Sequence, residues 1–185
     1  MTWRKRIFDL FFASLLVVLL GPLLLGLLIW LLWQEGRPLF YVAERMKGVD
    51  RPFMLWKLRT MRVVEADTGV SGGDKVARIT RTGAWLRSKR LDELPQLWNI
   101  LRGDLSFVGP RPIVTKELAK YGSSVSAYLA QKPGITGLWQ VSGRNDISYD
   151  ERVALDVTYL ARRSFLQDLK IILRTGTAVL GRTGR

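Results

Sequence analysis

Residues 91–104 read Leu-Asp-Glu-Leu-Pro-Gln-Leu-Trp-Asn-Ile-Leu-Arg-Gly-Asp, and this stretch carries the strongest local signals in the chain. Leucine and tryptophan recur at helical spacing, and Gly103 stands where a helix would stop. Proline is tolerated only in the first turn of a helix, so Pro95 predicts a helix that begins at about Asp92, with Asp92 as its N-cap. Two adjacent carboxylates, Asp92 and Glu93, are therefore expected at a helix start.

Basic residues flank this carboxylate pair on both sides: Arg87, Lys89, Arg90, Arg102 and Arg111. Such a field favours ionised carboxylates and attracts anions. The N–H groups at a helix start bind phosphate, and an adjacent carboxylate can hold a divalent metal that offsets the repulsion between carboxylate and phosphate. The pattern therefore predicts phosphoryl transfer on a phosphorylated substrate. In the alternative, Asp92 only caps the helix and Glu93 only decorates its first turn.

The composition fits one domain with a strongly basic main body. The chain has 185 residues, 48% of them hydrophobic, and a net charge of +13. Residues 1–33 carry only +2, so the remaining 152 residues carry +11. That charge suits nucleic acid, an anionic membrane surface or phosphorylated ligands. Cysteine and histidine are absent, which excludes a disulfide, a thiolate nucleophile and an imidazole base, so catalysis would fall to the carboxylate pair.

An apolar segment near the N-terminus predicts insertion into a membrane. Residues 10–33 are 24 residues without a charge, and at about 1.5 Å per helical residue they are long enough to cross a hydrocarbon core of roughly 30 Å. Gly21-Pro22 lies near the middle, where proline removes a helical hydrogen bond and favours a bend. Both flanks are basic, whereas a spanning helix has its Lys and Arg excess on one side. We therefore expect a re-entrant hairpin rather than the alternative, a single-pass anchor.

The next segment has the alternation of a β-hairpin. Residues 39–43 and 53–59 are predicted to be two strands joined by a turn near 47–50. The period of two puts Lys57 and Arg59 on one face of the second strand, where, taken alone, they are most simply two solvated charges. Residues 63–78 are polar and contain glycines, which indicates a loop.

The remaining chain is predicted to form short helices and turns. A helix over 84–88 would deliver Arg87 close to the carboxylate pair, and another helix is expected over 115–121. Residues 132–137 are predicted to be a turn-rich loop. Two capping boxes, Ser148-x-x-Glu151 and Ser164-x-x-Gln167, each predict the start of a helix. The last helix carries an apolar stripe that either packs in the core or lies in the lipid headgroup plane: Phe165, Leu166, Leu169, Ile172 and Leu173.

These elements together predict a monotopic, membrane-associated α+β fold. Residues 1–36 would form a re-entrant membrane helix with a break at Gly21-Pro22. Residues 37–185 would form one cytoplasmic catalytic domain that contains a small β-hairpin, several short helices and a C-terminal amphipathic helix that lies at the interface.

Seven motifs occur in order along nearly the whole chain. They are the basic N-terminus with its broken hydrophobic segment, Trp56-Lys57-Leu58-Arg59-Thr60-Met61, Leu86-Arg87 followed by Leu91-Asp92-Glu93-Leu94-Pro95-Gln96-Leu97, Gly109-Pro110-Arg111-Pro112, Lys132-Pro133-Gly134-Ile135-Thr136-Gly137, Gly143-Arg144-Asn145, and the tail Asp156, Tyr159, Ser164 and Asp168-Leu169-Lys170. In this combination the chain strongly resembles the bacterial sugar transferase family, the monotopic phosphoglycosyl transferases that move a sugar 1-phosphate from a nucleotide diphosphate sugar to a polyprenyl phosphate. Its length resembles the small, minimal form of that family. Arg90 departs from the serine that the family often has, and we expect little effect.

The resemblance implies a role for each matching position. Asp92 would be the nucleophile that takes the phosphosugar as an acyl phosphate and releases a nucleoside monophosphate, and Glu93 would be a Mg²⁺ ligand. Phosphate- or nucleotide-binding roles are implied for six further residues: Lys57, Arg59, Arg87, Arg111, Pro112 and Arg144. The implied donor is a UDP-sugar and the implied acceptor is undecaprenyl phosphate. The implied location is the cytoplasmic face of the bacterial inner membrane, the implied pathway is exopolysaccharide or other glycoconjugate synthesis, and nucleic acid is not an expected partner.

Two other functions fit part of the sequence. A membrane-tethered basic module that holds nucleic acid or anionic lipid without catalysis would explain the charge and the anchor, but it leaves the carboxylate pair inside the most basic stretch unexplained. A phosphohydrolase would use the same carboxylate and metal, with water as the acceptor. The release of nucleoside monophosphate with and without polyprenyl phosphate distinguishes the three functions.

Overall fold

The computed structural model of the chain describes residues 2–47, 51–63, 77–143 and 147–180. In chain order its helices and strands are α1 (Trp3–Glu35), β1 (Phe40–Met46), β2 (Pro52–Leu58), α2 (Arg81–Ser88), α3 (Gln96–Arg102), β3 (Ser106–Val108), α4 (Val125–Leu129), β4 (Gly134–Thr136), α5 (Leu138–Ser142), α6 (Tyr149–Arg162) and α7 (Phe165–Leu180). The 3₁₀ helix Leu91–Glu93 lies between α2 and α3, and the 3₁₀ helix Thr115–Ser124 precedes α4. The mixture of helix and strand agrees with the predicted α+β class.

The N-terminal helix α1 is continuous over all 33 of its residues. Thr2 caps its start by accepting a hydrogen bond from the Lys5 N–H, and Gly36, at φ 68°, ends it. The helix passes through Gly21 and Pro22 without interruption, so the two separate helices of the expected hairpin are not observed. Proline removes a single hydrogen bond, and the leucine-rich turns on both sides keep their helical conformation. By length and composition, α1 could cross a membrane.

Both ends of α1 contact the rest of the chain. Near its start, the Arg6 guanidinium donates hydrogen bonds to the carbonyls of Ile100 and Leu101, at 2.6 and 2.8 Å. At its end, the Arg59 guanidinium donates a hydrogen bond to the Glu35 carbonyl, at 2.5 Å. One folded body therefore holds both ends of the helix.

Two hydrophobic clusters join α1 to the β-hairpin and to the helices near it. In the first, Ala13 of α1 packs with buried residues of β2, of α3 and of the segment after α3: Phe53, Leu55, Leu97, Ile100 and Leu105. In the second, Leu27 and Leu31 of α1 pack with Leu58 and Leu86. Because α1 supplies part of both clusters, the buried core depends on this helix.

The predicted β-hairpin is confirmed. β1 and β2 pair antiparallel, with Tyr41 opposite Lys57. The side chains of Phe53 and Leu55 are buried, so that one face of β2 packs on the core and fixes the register. The predicted turn includes residues 48–50, which lie outside the described residues.

A second pair of strands differs from the sequence prediction. β3 and β4 pair in parallel, with Ser106 opposite Gly134, so residues 132–137 are not simply a turn-rich loop. Glycine at position 134 permits the close approach of the backbones of Gly134 and Gly109, because a Cβ at Gly134 would lie 2.1 Å from the backbone nitrogen of Gly109. Strands of three residues are too short to show a period of two, which is why the sequence pattern does not reveal them.

Two predicted helices are present with different bounds. α2 begins at Arg81 rather than at residue 84, because Thr80 caps it by accepting a hydrogen bond from the Gly83 N–H at 3.0 Å. The helix predicted over 115–121 is a 3₁₀ helix that extends to Ser124. The element types are therefore predicted better than their ends.

The two C-terminal helices begin where the capping boxes predict. The box of Ser148 and Glu151 is complete at the start of α6. Before α7, Ser164 accepts a hydrogen bond from the Gln167 N–H at 3.2 Å, but the Gln167 side-chain oxygen finds no hydrogen-bond partner among the described residues. This second box is therefore half formed.

The predicted apolar stripe of α7 faces outward. Four of its five residues are exposed: Phe165, Leu166, Leu169 and Leu173. The described α7 residues that are buried instead are Asp168 and Ile171, and Ile171 packs with Val108 and Tyr159. The stripe is therefore not a core face, and its position in the headgroup plane stays a prediction.

Candidate active site

The carboxylate pair lies in a tight turn between α2 and α3. Asp92 and Glu93 belong to the 3₁₀ helix Leu91–Glu93, and α3 begins at Gln96, with Pro95 as its N-cap. The prediction that a helix begins at Asp92, with this residue as the N-cap, is therefore wrong. Asp92 is 7% exposed and lies inside the short helix.

The conformation of Arg90 accounts for this turn. Its φ of 55° is left-handed, which redirects the chain just before the carboxylate pair. The hydrogen bonds that follow are of the tighter i to i+3 type, from the Glu93 N–H to the Arg90 carbonyl and from the Leu94 N–H to the Leu91 carbonyl, each 3.3 Å long. A 3₁₀ turn, and not the first turn of an α-helix, therefore presents the two carboxylates.

Two cations hold the carboxylate of Glu93. Lys57 Nζ lies 2.9 Å from its Oε1, and Arg90 Nη1 lies 3.3 Å from its Oε2. Burial acts to raise the pKa of Glu93, but the charges of Lys57, Arg90 and Arg111 and the hydrogen bond from Lys57 outweigh burial and hold this pKa below its usual value. The expectation that the basic field keeps this carboxylate ionised is confirmed.

Asp92 has a pKa shift in the opposite direction. Burial is the largest cause and raises the pKa of Asp92, and the charge of Glu93 adds to this effect. The charges of Lys57 and Arg87 act to lower the same pKa but do not prevail. The expected effect of the basic field, to favour the ionised form, is thus outweighed by burial at Asp92.

Arg87 reaches the carboxylate pair from α2, as predicted. Its Nε donates a hydrogen bond to Oγ1 of Thr60, at 2.8 Å. Thr60 is buried just after the end of β2, so the β-hairpin sets the position of this guanidinium. The charge of Arg87 acts on the pKa of Asp92, which identifies it as a cation of the site.

Arg111 approaches from the segment between β3 and the second 3₁₀ helix. Its backbone carbonyl accepts a hydrogen bond from the Tyr128 hydroxyl at 2.7 Å, and its guanidinium carbon lies 5.5 Å from the centre of the Trp139 ring. Its charge contributes to the lowered pKa of Glu93. Pro112, the other residue of this motif with an implied binding role, directly follows Arg111, and its role stays a prediction.

Among the described residues with implied binding roles, Arg59 is not brought to the carboxylate pair. The guanidinium of Arg59 binds the Glu35 carbonyl at the end of α1, where the helix dipole favours a cation. β2 ends at Leu58, so the alternation that would put Arg59 beside Lys57 no longer holds. Arg144 lies outside the described residues, and its role stays a prediction.

Asn99 positions the site but carries no obvious signal in the sequence. It is fully buried in α3, where its Oδ1 accepts a hydrogen bond from the Trp56 N–H at 3.1 Å and its Nδ2 donates one to the Met54 carbonyl at 2.7 Å. These bonds join α3 to the strand that carries Lys57, so they help to fix Lys57 relative to the carboxylate pair. Asn99 lies off the leucine and tryptophan stripe of the helix pattern, so the periodicity does not mark it, and its burial is set by the packing of α3 on β2.

A buried acidic residue lies behind Arg111. Asp156 of α6 is 1% exposed and accepts a hydrogen bond from the Tyr121 hydroxyl at 2.9 Å. Burial raises the pKa of Asp156 to about 7, against the hydrogen bonds from Tyr121 and the Arg111 backbone and against the charge of Arg111. The ionisation of Asp156 is therefore linked to the surroundings of Arg111.

Comparison with known proteins identifies the family. A family model described as bacterial sugar transferase matches residues 1–182. The chain belongs to this family. A UDP-galactose-lipid carrier transferase of Erwinia amylovora is 42% identical over 196 residues, which cover 97% of this chain and 41% of that protein. The exopolysaccharide production protein ExoY of Rhizobium meliloti is 39% identical over 199 residues, which cover 95% of this chain and 84% of that protein.

A third relative is the UDP-glucose:undecaprenyl-phosphate glucose-1-phosphate transferase of Caulobacter vibrioides, 38% identical over 186 residues that cover 96% of this chain and 70% of that protein. This sugar transferase chain spans about two fifths of the length of the Erwinia protein but most of the length of the other two. The resemblance that the motifs indicate is confirmed. Five of the residues to which it gives roles lie together in the fold: Asp92, Glu93, Lys57, Arg87 and Arg111.

Proposed function

We propose that this sugar transferase moves a sugar 1-phosphate from a UDP-sugar to undecaprenyl phosphate and releases UMP. The observation that carries the proposal is the buried carboxylate of Asp92, which lies beside the ionised Glu93 and within the field of Lys57 and Arg87. The name of the Caulobacter relative supports the choice of donor and acceptor. The cations bind the diphosphate of the donor, because charge-assisted hydrogen bonds to phosphate are strong.

Catalysis consists of two displacements at the same phosphorus atom. In the first, a carboxylate oxygen of Asp92 attacks the sugar-bearing phosphorus, the bond from this phosphorus to the bridging oxygen breaks, and UMP leaves with the electron pair. The product is an acyl phosphate on Asp92 that carries the sugar. In the second, a phosphate oxygen of the lipid attacks the same phosphorus, the bond to the Asp92 oxygen breaks, and the carboxylate is restored.

The raised pKa of Asp92 affects the first displacement in two ways. A more basic carboxylate is the stronger nucleophile, but only the ionised form attacks. Because burial raises the pKa of Asp92, the rate of adduct formation should begin to fall at a higher pH than it would for an exposed aspartate.

Mg²⁺ is the metal that suits this donor set. It is commonly held by one or two protein carboxylates together with substrate phosphates, and Asp92 and Glu93 supply two adjacent carboxylates. Within the described residues no group of three or more Asp, Glu, His or Cys side chains could hold a metal, so we assign Mg²⁺ to Glu93 together with the donor diphosphate. When bound, the ion offsets the repulsion between the attacking carboxylate and the phosphate.

We infer a monotopic attachment to the cytoplasmic face of the membrane, in which α1 enters the bilayer and returns. The contacts of Arg6 and Arg59 with one folded body support this topology. A straight helix of 33 residues is about 50 Å long, so crossing a hydrocarbon core of roughly 30 Å would separate these ends. The exposed apolar stripe of α7 would lie on the same membrane surface.

Intact-mass measurement tests the covalent step. Wild-type protein in detergent is incubated with a UDP-sugar and Mg²⁺ but without acceptor, and it should gain the mass of a sugar phosphate as UMP is released. Asp92→Asn keeps the size of the side chain but removes the anionic nucleophile, so it should form no adduct. Asp150→Asn changes an exposed aspartate at the start of α6 and should behave like the wild type.

Undecaprenyl phosphate should then discharge the adduct and form a sugar-diphosphate lipid. Loss of the adduct to water at one rate, with or without the lipid, would indicate a phosphohydrolase. Active enzyme with sequential kinetics and no adduct would overturn the covalent step. Donor binding without turnover would favour a basic binding module.

A further inference from the structure

An apolar groove of about 240 Å³ lies between the middle of α1 and the start of α3. The helix α1 supplies one side through Leu20, Gly21 and Leu24. Leu94 and Trp98 supply part of the opposite side. None of the described residues that line the groove is charged.

The groove begins where the carboxylate site ends. Its residues Leu94 and Pro95 directly follow Glu93 in the chain, so the apolar lining starts within one turn of Asp92. The opposite wall of the groove is formed by α1 at Gly21, and the nearby side chain of Val18 is part of the exposed apolar surface of α1. The groove thus lies between the segment that directly follows the carboxylate pair and the apolar stretch of α1.

We propose that this groove binds the isoprenoid units nearest the phosphate of the acceptor lipid. The proposal rests on the proposed function and concerns only its second displacement. The acceptor joins a charged phosphate directly to a hydrocarbon chain, and the protein presents the same order, with the cations Lys57 and Arg87 at the site and an uncharged groove beside it. A phospholipid has polar ester groups between its phosphate and its acyl chains, which this lining does not match.

Gly21 offers a direct test of what occupies the groove. Gly21 lines the groove and a Cβ there would meet no atom within 4 Å, so a leucine at this position is expected to take up part of the groove volume. Gly26 provides a matched control in the same helix. A Cβ at Gly26 also meets no atom within 4 Å, but Gly26 does not line the groove.

The two variants Gly21→Leu and Gly26→Leu are compared in separate half-reactions. Adduct formation without acceptor reports on the site, and transfer from the preformed adduct to undecaprenyl phosphate reports on the groove. We expect Gly21→Leu to raise the KM for undecaprenyl phosphate by about tenfold, because losing the burial of about two methylene groups corresponds to that factor. Adduct formation and adduct loss to water should stay close to wild type, and Gly26→Leu should match wild type in every step.

A second variant, Trp98→Ala, tests the same groove if Gly21→Leu does not fold. Trp98→Ala removes a side chain of the groove wall that is 55% exposed, and it should raise the KM for the lipid acceptor several-fold while leaving adduct formation intact. Trp33→Ala is its control, because Trp33 is exposed near the end of α1 and away from the groove lining.

An unchanged acceptor KM in Gly21→Leu and Trp98→Ala overturns the proposal and would leave the groove to another molecule, such as a phospholipid chain. If Gly21→Leu forms no adduct, the acceptor KM of Trp98→Ala alone tests whether the groove binds the acceptor lipid, and an unchanged value overturns the proposal. Failure of the wild type to form or discharge an adduct would instead refute the proposed function, so the two failures are distinguishable.

Discussion

At the scale of single residues, Arg90 contacts the carboxylate pair through both backbone and side chain. Its left-handed conformation costs about 1 kcal/mol for a residue other than glycine, and it sets the turn that carries Glu93. Its guanidinium also lies 3.3 Å from the Glu93 carboxylate. From the family resemblance we expect arginine at this position to have little effect; from these contacts we propose instead that Arg90 positions Glu93.

We expect Arg90→Ser to move the acid limb of the activity profile to higher pH. Glu93 would lose one of the cations that hold its pKa low, so it would take up a proton at a higher pH. Adduct formation should fall by roughly fivefold at most below about pH 4.5, the ordinary pKa of glutamate, which is the effect of one partly exposed ion pair, and it should change little at neutral pH. Lys89→Ser, at an exposed neighbouring lysine, should leave the profile unchanged. Identical profiles for Arg90→Ser and wild type would mean that Lys57 alone keeps Glu93 ionised.

Asp156 makes the stability of the protein depend on pH. Burial raises the pKa of Asp156 from 3.8 to about 7, so between these values the folded state holds a proton that the unfolded chain has released. Each unit of rising pH in this interval removes up to about 1.4 kcal/mol from the free energy of unfolding. The thermal midpoint should therefore fall between about pH 5 and pH 7.

The variant Asp156→Asn should flatten this part of the stability profile, because an amide does not ionise. Its side-chain oxygen can still accept the hydrogen bond from the Tyr121 hydroxyl. Asp150→Asn, at an exposed position, should keep the slope of the wild type. Thermal unfolding in detergent across this pH range checks the prediction, and parallel profiles for Asp156→Asn and wild type would contradict it.

The residues of the site differ in how far sequence alone could predict them. For Lys57, strand alternation predicted the face but not the contact with Glu93, and the family resemblance alone implied a role at the site. The position of Arg59 was not predictable, because β2 ends one residue earlier and the end of a distant helix binds its side chain. The raised pKa of Asp92 depends on burial, which tertiary packing sets and which no local pattern encodes.

At the scale of elements, the length of a pattern decides what it can predict. β1 and β2 have seven residues each, enough for alternation to indicate a hairpin. β3 and β4 have three residues each, and their pairing depends on the close backbone approach of Gly109 and Gly134, which are far apart in sequence. A parallel pair of this kind follows from tertiary structure rather than from local pattern.

The helix α7 shows the same division between local and tertiary information. Its apolar period predicts a helix, and a helix is present. The period does not say which face meets the core, and the side that holds Asp168 and Ile171 is buried rather than the stripe that contains Leu166. Packing of Ile171 against β3 and α6 decides the orientation, and this leaves the stripe free to meet a membrane surface.

At the scale of the whole molecule, α1 is part of the folded core. Composition divides the chain into an apolar segment over 1–36 and a basic body over 37–185, but the hydrophobic clusters cross that boundary through Ala13 and Leu27. Removing the helix would therefore expose the core as well as remove the segment that could cross a membrane. Stability and the proposed membrane attachment thus involve the same helix.

The contacts at both ends of α1 predict that these ends lie on one side of the membrane. The chain contains no cysteine, so single cysteines can report accessibility without background labelling. Trp3→Cys, at the exposed start of α1, and Asp150→Cys, at the exposed start of α6, should both react with a membrane-impermeant maleimide in inverted vesicles. Neither should react in right-side-out vesicles, because a re-entrant α1 keeps both positions on the cytoplasmic face.

Two further variants test whether the segment is inserted and whether Pro22 sets this topology. Val18 lies in the apolar stretch and its side chain is 74% exposed in the structure. If the segment is inserted in the bilayer, Val18→Cys should be labelled from neither side. Pro22→Ala restores a helical hydrogen bond and should favour a straight span, so Trp3→Cys in that background should become partly reactive from outside. If Trp3→Cys is labelled from outside while Pro22 is still present, α1 spans the bilayer and the re-entrant topology is wrong. Arg6 would then lie outside and α3 on the cytoplasmic side, so the hydrogen bonds from Arg6 to the carbonyls of Ile100 and Leu101 could not form.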